Sequence, residues 1–449
     1  MAKKMPMPTV KPALRAFLVG IGLRNEPSLL GLEDSLAELS LLADTAGLDV
    51  IGEITQRLDH PNPETFIGSG KVEELITMVE ETQADVVIFD NELSPRHLRE
   101  LEMRFTDNVQ ITDRTALILE IFAQHASTRE GILQVELAQY EYRLPRLTRA
   151  WTHLARQTGG GGGRAGSVGG VGLRGPGETQ LEVDRREIRR RISTLKNELE
   201  KVRAHRMRYR AQRKRSSVPV ISIVGYTNAG KSTLLNRLTK ANVLVADQLF
   251  ATLDPTTRRL ELPGGHFVLF TDTVGFIQKL PTQLIAAFRA TLEEITEADL
   301  LIHVVDITHP NAIAQWKAVQ QTLSEIDAGS IPTLTVLNKI DRLPDPTSAR
   351  QVTIEYPGSV AISALTGEGI PELVNAIESQ LFETYISVNV RLPYQEGQLI
   401  SLFHEQGQVE RIEHNRGGVL IQGNLPGRLV NRFQHYLTSK HTAHKLHEE

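Results

Sequence analysis

The spacing of apolar and polar positions changes along the chain, and each change marks a different kind of element. From residue 13 to 122 short apolar runs alternate with amphipathic stretches. Ala16-Phe-Leu-Val-Gly20, Val50-Ile51, Asp85-Val-Val-Ile-Phe89 and Val109-Gln-Ile111 read as strands. Leu36-Ala-Glu-Leu-Ser-Leu-Leu42 and Val72-Glu-Glu-Leu-Ile76 carry helical spacing. Such alternation predicts an α/β subdomain over residues 1–125, a parallel sheet with flanking helices. The spacing then turns to steps of three and four. Leu133, Leu137, Tyr140, Leu144, Leu147, Trp151 and Leu154 form one stripe; Leu181, Ile188, Ile192, Leu195, Leu199, Val202 and Tyr209 form another, with Arg185 and Arg206 filling its gaps. Residues 126–215 therefore read as an antiparallel helical hairpin. Its tip, 158–177, is too rich in glycine to be helical, and Pro145 should kink or interrupt the first arm. Apolar runs return at Ile221-Ser-Ile-Val224, Phe267-Val-Leu-Phe270, Thr333-Leu-Thr-Val-Leu337 and Val360-Ala-Ile362, giving an α/β domain over 216–385. A small α+β domain is expected over 386–449, with helices near 396–403 and 428–433 and strands near 409–412 and 418–422.

The candidate chemistry lies where those runs end. Gly225-Tyr226-Thr227-Asn228-Ala229-Gly230-Lys231-Ser232 follows a strand, and Thr233 opens an apolar helix, the context of a phosphate-binding loop. Gly225 and Gly230 let the backbone turn its N–H groups inward around phosphates, and the helix adds its positive N-terminal end. Lys231 should reach the β- and γ-phosphates, and Ser232 should ligate Mg²⁺. Asp272-Thr273-Val274-Gly275 closes the next strand, placing a carboxylate near that metal, bound through water, and a Gly275 N–H near the γ-phosphate. Asn338-Lys339-Ile340-Asp341 closes another. A carboxylate there accepts both guanine N1–H and its exocyclic amine, which adenine does not present, while Asn338 meets the N7 edge and the Lys339 stem covers the base. Ser363-Ala364-Leu365 completes the pocket through the Ala364 N–H. Together these motifs predict a GTPase domain that binds GTP and GDP.

Phe250-Ala251-Thr252-Leu253-Asp254-Pro-Thr-Thr257 fills the place of the first switch. A threonine here can ligate Mg²⁺ only while the γ-phosphate holds the loop, so hydrolysis releases it. Thr252 is favoured, with Thr256 second. Phe276 occupies the position after Gly275 where many small GTPases orient water with Gln, and a phenyl ring cannot do so. No catalytic side chain is assigned, and intrinsic hydrolysis is expected to be slow. The Asn228 side chain offers an oxygen to K⁺, although asparagine is common in tight turns and that reading is favoured.

Composition narrows the setting. The chain has 449 residues, no cysteine and a formal net charge of −4, which excludes disulfides and thiolate zinc sites. The opening Met1-Ala-Lys-Lys-Met-Pro-Met-Pro8 lacks the apolar core of a signal peptide, and no run is long enough to span a bilayer, so a cytoplasmic protein is expected. A monomer is expected as well. Charge is concentrated in the second helical arm: between Lys201 and Arg215 no acid intervenes. Arg208, Arg210 and Arg213, with Arg164 and Arg174 in the glycine tip, are candidates for structured RNA; the bland reading is a solvated charged coil. Ile67-Gly-Ser-Gly-Lys71 suggests a second phosphate loop but is too short for a full one, and a glycine turn opening a helix is the favoured reading.

These residues resemble the HflX-type GTPases, ribosome-associated relatives of the Obg group. The resemblance runs from about residue 15 to 385, on Pro63-Glu-Thr-Phe-Ile-Gly-Ser-Gly-Lys-Val-Glu-Glu-Leu75, Leu173-Arg-Gly-Pro-Gly-Glu-Thr-Gln-Leu-Glu182 and Phe250-Ala-Thr-Leu-Asp-Pro-Thr256 before Asp272-Thr-Val-Gly-Phe276. It implies binding to the large ribosomal subunit, with the hairpin directed at rRNA near the peptidyl transferase centre. It implies GTP-dependent splitting of stalled or idle ribosomes, with hydrolysis stimulated by the ribosome, and a secondary use of ATP through the N-terminal region. The glycine tip is longer than the loop associated with the family. Two other functions fit the same motifs: an assembly factor of the large subunit, and a tRNA-modifying GTPase. The latter commonly carries a C-terminal cysteine and a one-carbon-carrier domain, neither of which is evident here.

Overall fold

The computed structural model describes residues 13–25, 29–106, 108–147, 180–215, 218–239, 249–250, 253, 255–279, 289–343, 356, 358–382, 385–415 and 417–438. The chain divides into two compact units, Met1–Ile370 and Pro371–Glu449. The first unit contains two sheets and a pair of packed helices.

The first sheet is wholly parallel, in the order β2-β1-β3-β4, from β1 (Arg15–Leu23), β2 (Asp49–Leu58), β3 (Val86–Phe89) and β4 (Gln110–Asp113). Helices α1 (Leu32–Thr45), α2 (Ser69–Thr82) and α3 (Pro95–Glu102) connect its strands, and α4 (Arg114–His125) follows the last. Both faces are covered, which is why β3 reads as an unbroken apolar run. The expected parallel sheet is thus present. In the Ile67–Lys71 segment Gly68 caps α2, its N–H donates to Gln56 Oε1 (3.1 Å), and Lys71 turns back to Glu74 (2.9 Å), as a glycine turn opening a helix would.

Helix α5 (Arg129–Arg146) is capped by the Thr128 hydroxyl and ends one residue after Pro145, so the proline sits in the final turn. Trp151 and Leu154, expected further along this arm, lie outside the described residues. Helix α6 (Gln180–Arg215) is the longer arm. The two pack through Leu133, Leu137, Leu195 and Leu199, all buried, with Tyr140, Ile192 and Val202 beside them. Arg191 grips the Glu136 carboxylate with both Nε and Nη2, and Lys196 pairs with Glu141 at 2.8 Å. The three-and-four spacing had marked both faces of this seam.

The second sheet has the order β10-β9-β8-β5-β7-β6, from β5 (Val220–Gly225), β6 (Thr256–Glu261), β7 (Phe267–Asp272), β8 (Leu300–Asp306), β9 (Thr333–Asn338) and β10 (Val360–Ala361). Only β6 runs antiparallel to its neighbour. Helices α7 (Lys231–Thr239), α8 (Arg289–Thr296) and α9 (Ala312–Glu325) belong to it. The C-terminal ends of β5, β8 and β9 meet along one edge, where a parallel sheet presents its loops to a ligand.

In the second unit a three-stranded antiparallel sheet, β11 (Tyr385–Leu392), β13 (Gly418–Pro426) and β12 (Gln408–Asn415) in that order, packs with α11 (Gly397–Gln406) and α12 (Gly427–Phe433). Helix α10 (Ile370–Leu381) precedes them. Val390, Phe403, Ile421 and Phe433 form its core. The expected α+β character holds, with β11 an additional strand that the apolar pattern had not marked.

Candidate functional site

The loop after β5 is shaped by backbone that ordinary residues avoid. Gly230 has φ of 95°, and a Cβ there would lie 2.3 Å from Asn338 Nδ2. Gly225 has φ of 151°, and a Cβ there would lie 2.3 Å from the Val304 carbonyl oxygen. Asn228 is left-handed as well, at φ 59°. Lys231 opens α7 with its ammonium curled over the loop, donating to the carbonyls of Tyr226 (2.8 Å) and Gly225 (3.1 Å). Burial pushes its pKa down to about 8, against the opposing pull of Asp272. His303, buried on β8, is pushed down to about 3 by burial and then by Lys231, so it adds no second positive charge. The Thr227 hydroxyl is buried with no hydrogen-bond partner among the described residues.

The Asp-x-x-Gly segment is zipped onto this loop. Thr227 N–H donates to the Phe276 carbonyl (2.8 Å), and Phe276 N–H donates to the Gly225 carbonyl (3.1 Å). Gly275 runs so close that a Cβ would meet Thr227 Cα at 2.9 Å and Lys231 Nζ at 3.0 Å. Asp272, fully buried, accepts from Ser232 Oγ at 2.6 Å, and Thr273 Oγ1 donates to the Ile223 carbonyl (2.7 Å). A hydroxyl and a carboxylate brought together in this way are hard oxygen donors of the type Mg²⁺ takes. Phe276 is buried rather than turned toward this loop's interior, in the same cluster as Phe250, Leu253 and Ile277. Thr256 opens β6 opposite Asp272. Ala251, Thr252 and Asp254 lie outside the described residues, as do Arg164 and Arg174. Arg208, Arg210 and Arg213 fall in the last turns of α6, where the backbone alone is described.

The base pocket is a set of cross-links between distant segments. Asn338 Nδ2 donates to the Ala229 carbonyl (2.8 Å), and Asn338 Oδ1 accepts from the Ala364 N–H (3.0 Å). The Ala364 N–H, expected to face the base, is therefore directed at Asn338 in this structure. Asp341 accepts from Ser363 Oγ (2.6 Å), which in turn accepts from the Thr366 N–H (3.0 Å). Lys339 is left-handed (φ 69°), and its ammonium lies 2.7 Å from Asp306. Arg237, on α7, donates through Nε to the Ala364 carbonyl (3.2 Å) and through Nη2 to that of Leu365. Leu365 itself is exposed.

The nucleotide loop and both switch segments are also tied to the first sheet, which sequence reasoning missed. Tyr226 Oη donates to Glu38 Oε1 on α1 (2.5 Å) and accepts from the Gln278 N–H (2.8 Å). Glu38 and Asp90 both pair with the buried guanidinium of Arg114, and Lys279 pairs with Asp90 from the other side. Burial would raise the Asp90 pKa, but Arg114 and Lys279 outweigh it and hold the carboxyl below its ordinary value. The ring of Phe250 meets Phe122 of α4 edge to face at 4.6 Å. One signal was available: Glu38 interrupts the apolar stripe of α1, and Arg114 directly precedes that of α4. A charge on a buried face needs a partner.

Comparison with known proteins places this geometry in a family. Four family models match in order: "GTP-binding GTPase N-terminal" over 33–123, "GTP-binding GTPase Middle Region" over 125–213, "50S ribosome-binding GTPase" over 220–339, and "HflX C-terminal domain" over 350–445. The chain is 45% identical over 413 residues to the GTPase HflX of Alkalihalophilus pseudofirmus, covering 91% of this chain and 93% of that one. It is 46% identical over 397 residues to the GTPase HflX of Escherichia coli K12, covering 88% and 90%. Among solved structures, a GTP-binding protein from Sulfolobus solfataricus in complex with GDP aligns over 82% of this chain and 98% of that one, at 25% identity and a TM-score of 0.42. No helix among the described residues is long and apolar enough to cross a membrane.

Proposed function

Because the chain belongs to the HflX family of GTPases, we propose that it binds the large ribosomal subunit and uses GTP to split stalled or idle ribosomes into subunits. GTP hydrolysis is the chemistry of the family. The ribosomal substrate is supported by the match of residues 220–339 to a 50S ribosome-binding GTPase model and by the run of basic residues closing α6. The observation that carries the reading is the attachment of the nucleotide loop and both switches to the first sheet, through Tyr226–Glu38, Lys279–Asp90 and Phe250–Phe122. A change at the γ-phosphate then cannot stay local. It loads contacts that lead to α4 and α5, and so to the arm packed on α5.

In this scheme Lys231 and the N–H groups of 225–233 hold the phosphates, with Gly275 beside the γ-phosphate. Ser232, Thr252 and, through water, Asp272 would hold Mg²⁺, which would neutralise charge on the β- and γ-phosphates. Asn338, Lys339, Asp341 and Ser363 to Leu365 select guanine. GTP orders Thr252 and Gly275, the arm is set so that its tip enters rRNA, and hydrolysis releases the factor. Phe276, buried, orients no water, so turnover is slow until the ribosome completes the site. The potassium expectation at Asn228 is checked by comparing turnover in KCl and NaCl.

The test is steady-state GTP hydrolysis with and without purified large subunits and whole ribosomes, followed by gradient sedimentation with a non-hydrolysable GTP analogue. Stimulated hydrolysis, with whole ribosomes falling into subunits, is expected. Absence of both would leave assembly of the large subunit as the better role, to be tested on precursor particles.

A further inference from the structure

We propose that Asp306, which belongs to none of the nucleotide motifs, is a positioning residue for guanine binding that acts by clamping Lys339. The inference rests on the assignment of Asn338–Asp341 to the base. Lys339 has a backbone in the left-handed region, where a residue with a Cβ is disfavoured. Its ammonium nevertheless points to one place, 2.7 Å from Asp306 Oδ2, with both side chains mostly buried. Asp306 is itself fixed: its other oxygen accepts from the Thr308 N–H (3.0 Å) and the Thr308 hydroxyl (2.6 Å). The two loops are joined in register as well, since Asp306 pairs with Asn338 across β8 and β9 and the Ile307 N–H donates to the Asn338 carbonyl (3.3 Å). Burial would raise the Asp306 pKa, yet Lys339 and Thr308 hold the carboxyl below its ordinary value, so it stays charged at neutral pH.

The physical consequence concerns a flexible stem. A lysine at the mouth of a pocket has many rotamers, and laying its methylenes along a base costs their freedom. Anchoring the ammonium beyond the base removes that freedom in advance, so less is lost on binding. The clamp acts on base contact and not on the phosphates, which are held by Lys231 and the loop at 225–233. Asp306 should therefore govern affinity and leave the chemical step alone.

Asp306→Asn keeps the shape and the acceptor for Thr308 and removes the charge that Lys339 meets. It should raise KM for GTP and Kd for GDP about five- to tenfold, the scale of one ordered long side chain, with kcat within about twofold of the parent. In a Lys339→Met background the same substitution should add nothing, because a clamp without its lysine has no object. Unchanged KM in Asp306→Asn would overturn the proposal. So would an equal loss in the Lys339→Met background, or a fall in kcat with a lowered thermal midpoint, each of which marks a merely structural role. Asp341→Asn assayed with xanthosine triphosphate separates the two levels. If it keeps its preference for GTP, the base pocket itself is misassigned; if it turns to the xanthine nucleotide while Asp306→Asn is silent, only the clamp fails.

Discussion

Tyr226→Phe removes one oxygen from the phosphate loop, and the structure lets its effect be worked out. The phenol donates to the Glu38 carboxylate at 2.5 Å in a buried setting and accepts from the partly buried Gln278 N–H at 2.8 Å. A hydrogen bond to a charged group contributes roughly 1.5–3 kcal/mol, and removing the acceptor of a partly buried N–H costs up to about 1 kcal/mol more. Part of this overlaps, because Arg114 continues to hold Glu38 after the change. The net loss should be about 1.5–3 kcal/mol. Denaturant unfolding of the variant reads this total. A cycle with Glu38→Gln isolates the cross-sheet pair, with an expected coupling of about 1.5–3 kcal/mol. The sign of the pH dependence gives an independent check. Burial, and then Glu38, raise the Tyr226 pKa above its ordinary value. Above a pH of about 10 the unfolded tyrosine loses its proton while the folded one keeps it, so the parent loses stability with rising pH. The Phe variant should lose less over the same window. A coupling below about 0.5 kcal/mol, the ordinary size of a neutral surface change, would refute the claim that this contact ties the phosphate loop to the first sheet.

Further outcomes follow from the same structure. With its pKa lowered to about 8, Lys231 is only partly protonated near pH 8 and should take up close to half a proton when phosphates bind. Calorimetric titration with GDP in buffers of different ionisation enthalpy reads this uptake, which should be strong at pH 8 and shrink towards pH 6.5, where the ammonium is already formed. Gly230→Ala should abolish GDP binding, because its Cβ would strike Asn338 Nδ2 and break the link to Ala229; retained affinity by fluorescence titration would contradict the loop geometry. Leu195→Ala, at a fully buried point of the seam between α5 and α6, should cost about 2–5 kcal/mol by denaturant unfolding, and a loss under 1 kcal/mol would mean the arms do not depend on that face.

Much of this molecule was legible from local pattern, because local physics produced it. A phosphate loop needs glycines a few residues apart and a lysine and hydroxyl just beyond, so Gly225, Gly230, Lys231 and Ser232 declare themselves in eight consecutive positions. The strands that end at Gly225, Asp272, Asn338 and Ala361 were visible as apolar runs, most plainly β5, since a strand buried on both faces carries little polar content. The facing stripes of α5 and α6 were visible because a helix returns to the same face every three or four residues.

What the pattern did not hold is which distant residues meet. Asn338 as the link between Ala229 and Ala364, Asp306 as the partner of Lys339, and Glu38 as the acceptor for a tyrosine 188 positions away are decided by strand order and by how two sheets pack. The burial of Phe276 has the same origin: its identity said only that it cannot orient water, and its place among Phe250, Leu253 and Ile277 came from packing. Spacing along a chain records periodicity and backbone freedom. Pairings across it are settled only when buried charges must find partners and apolar faces must find cover, and both conditions are met by the tertiary structure as a whole.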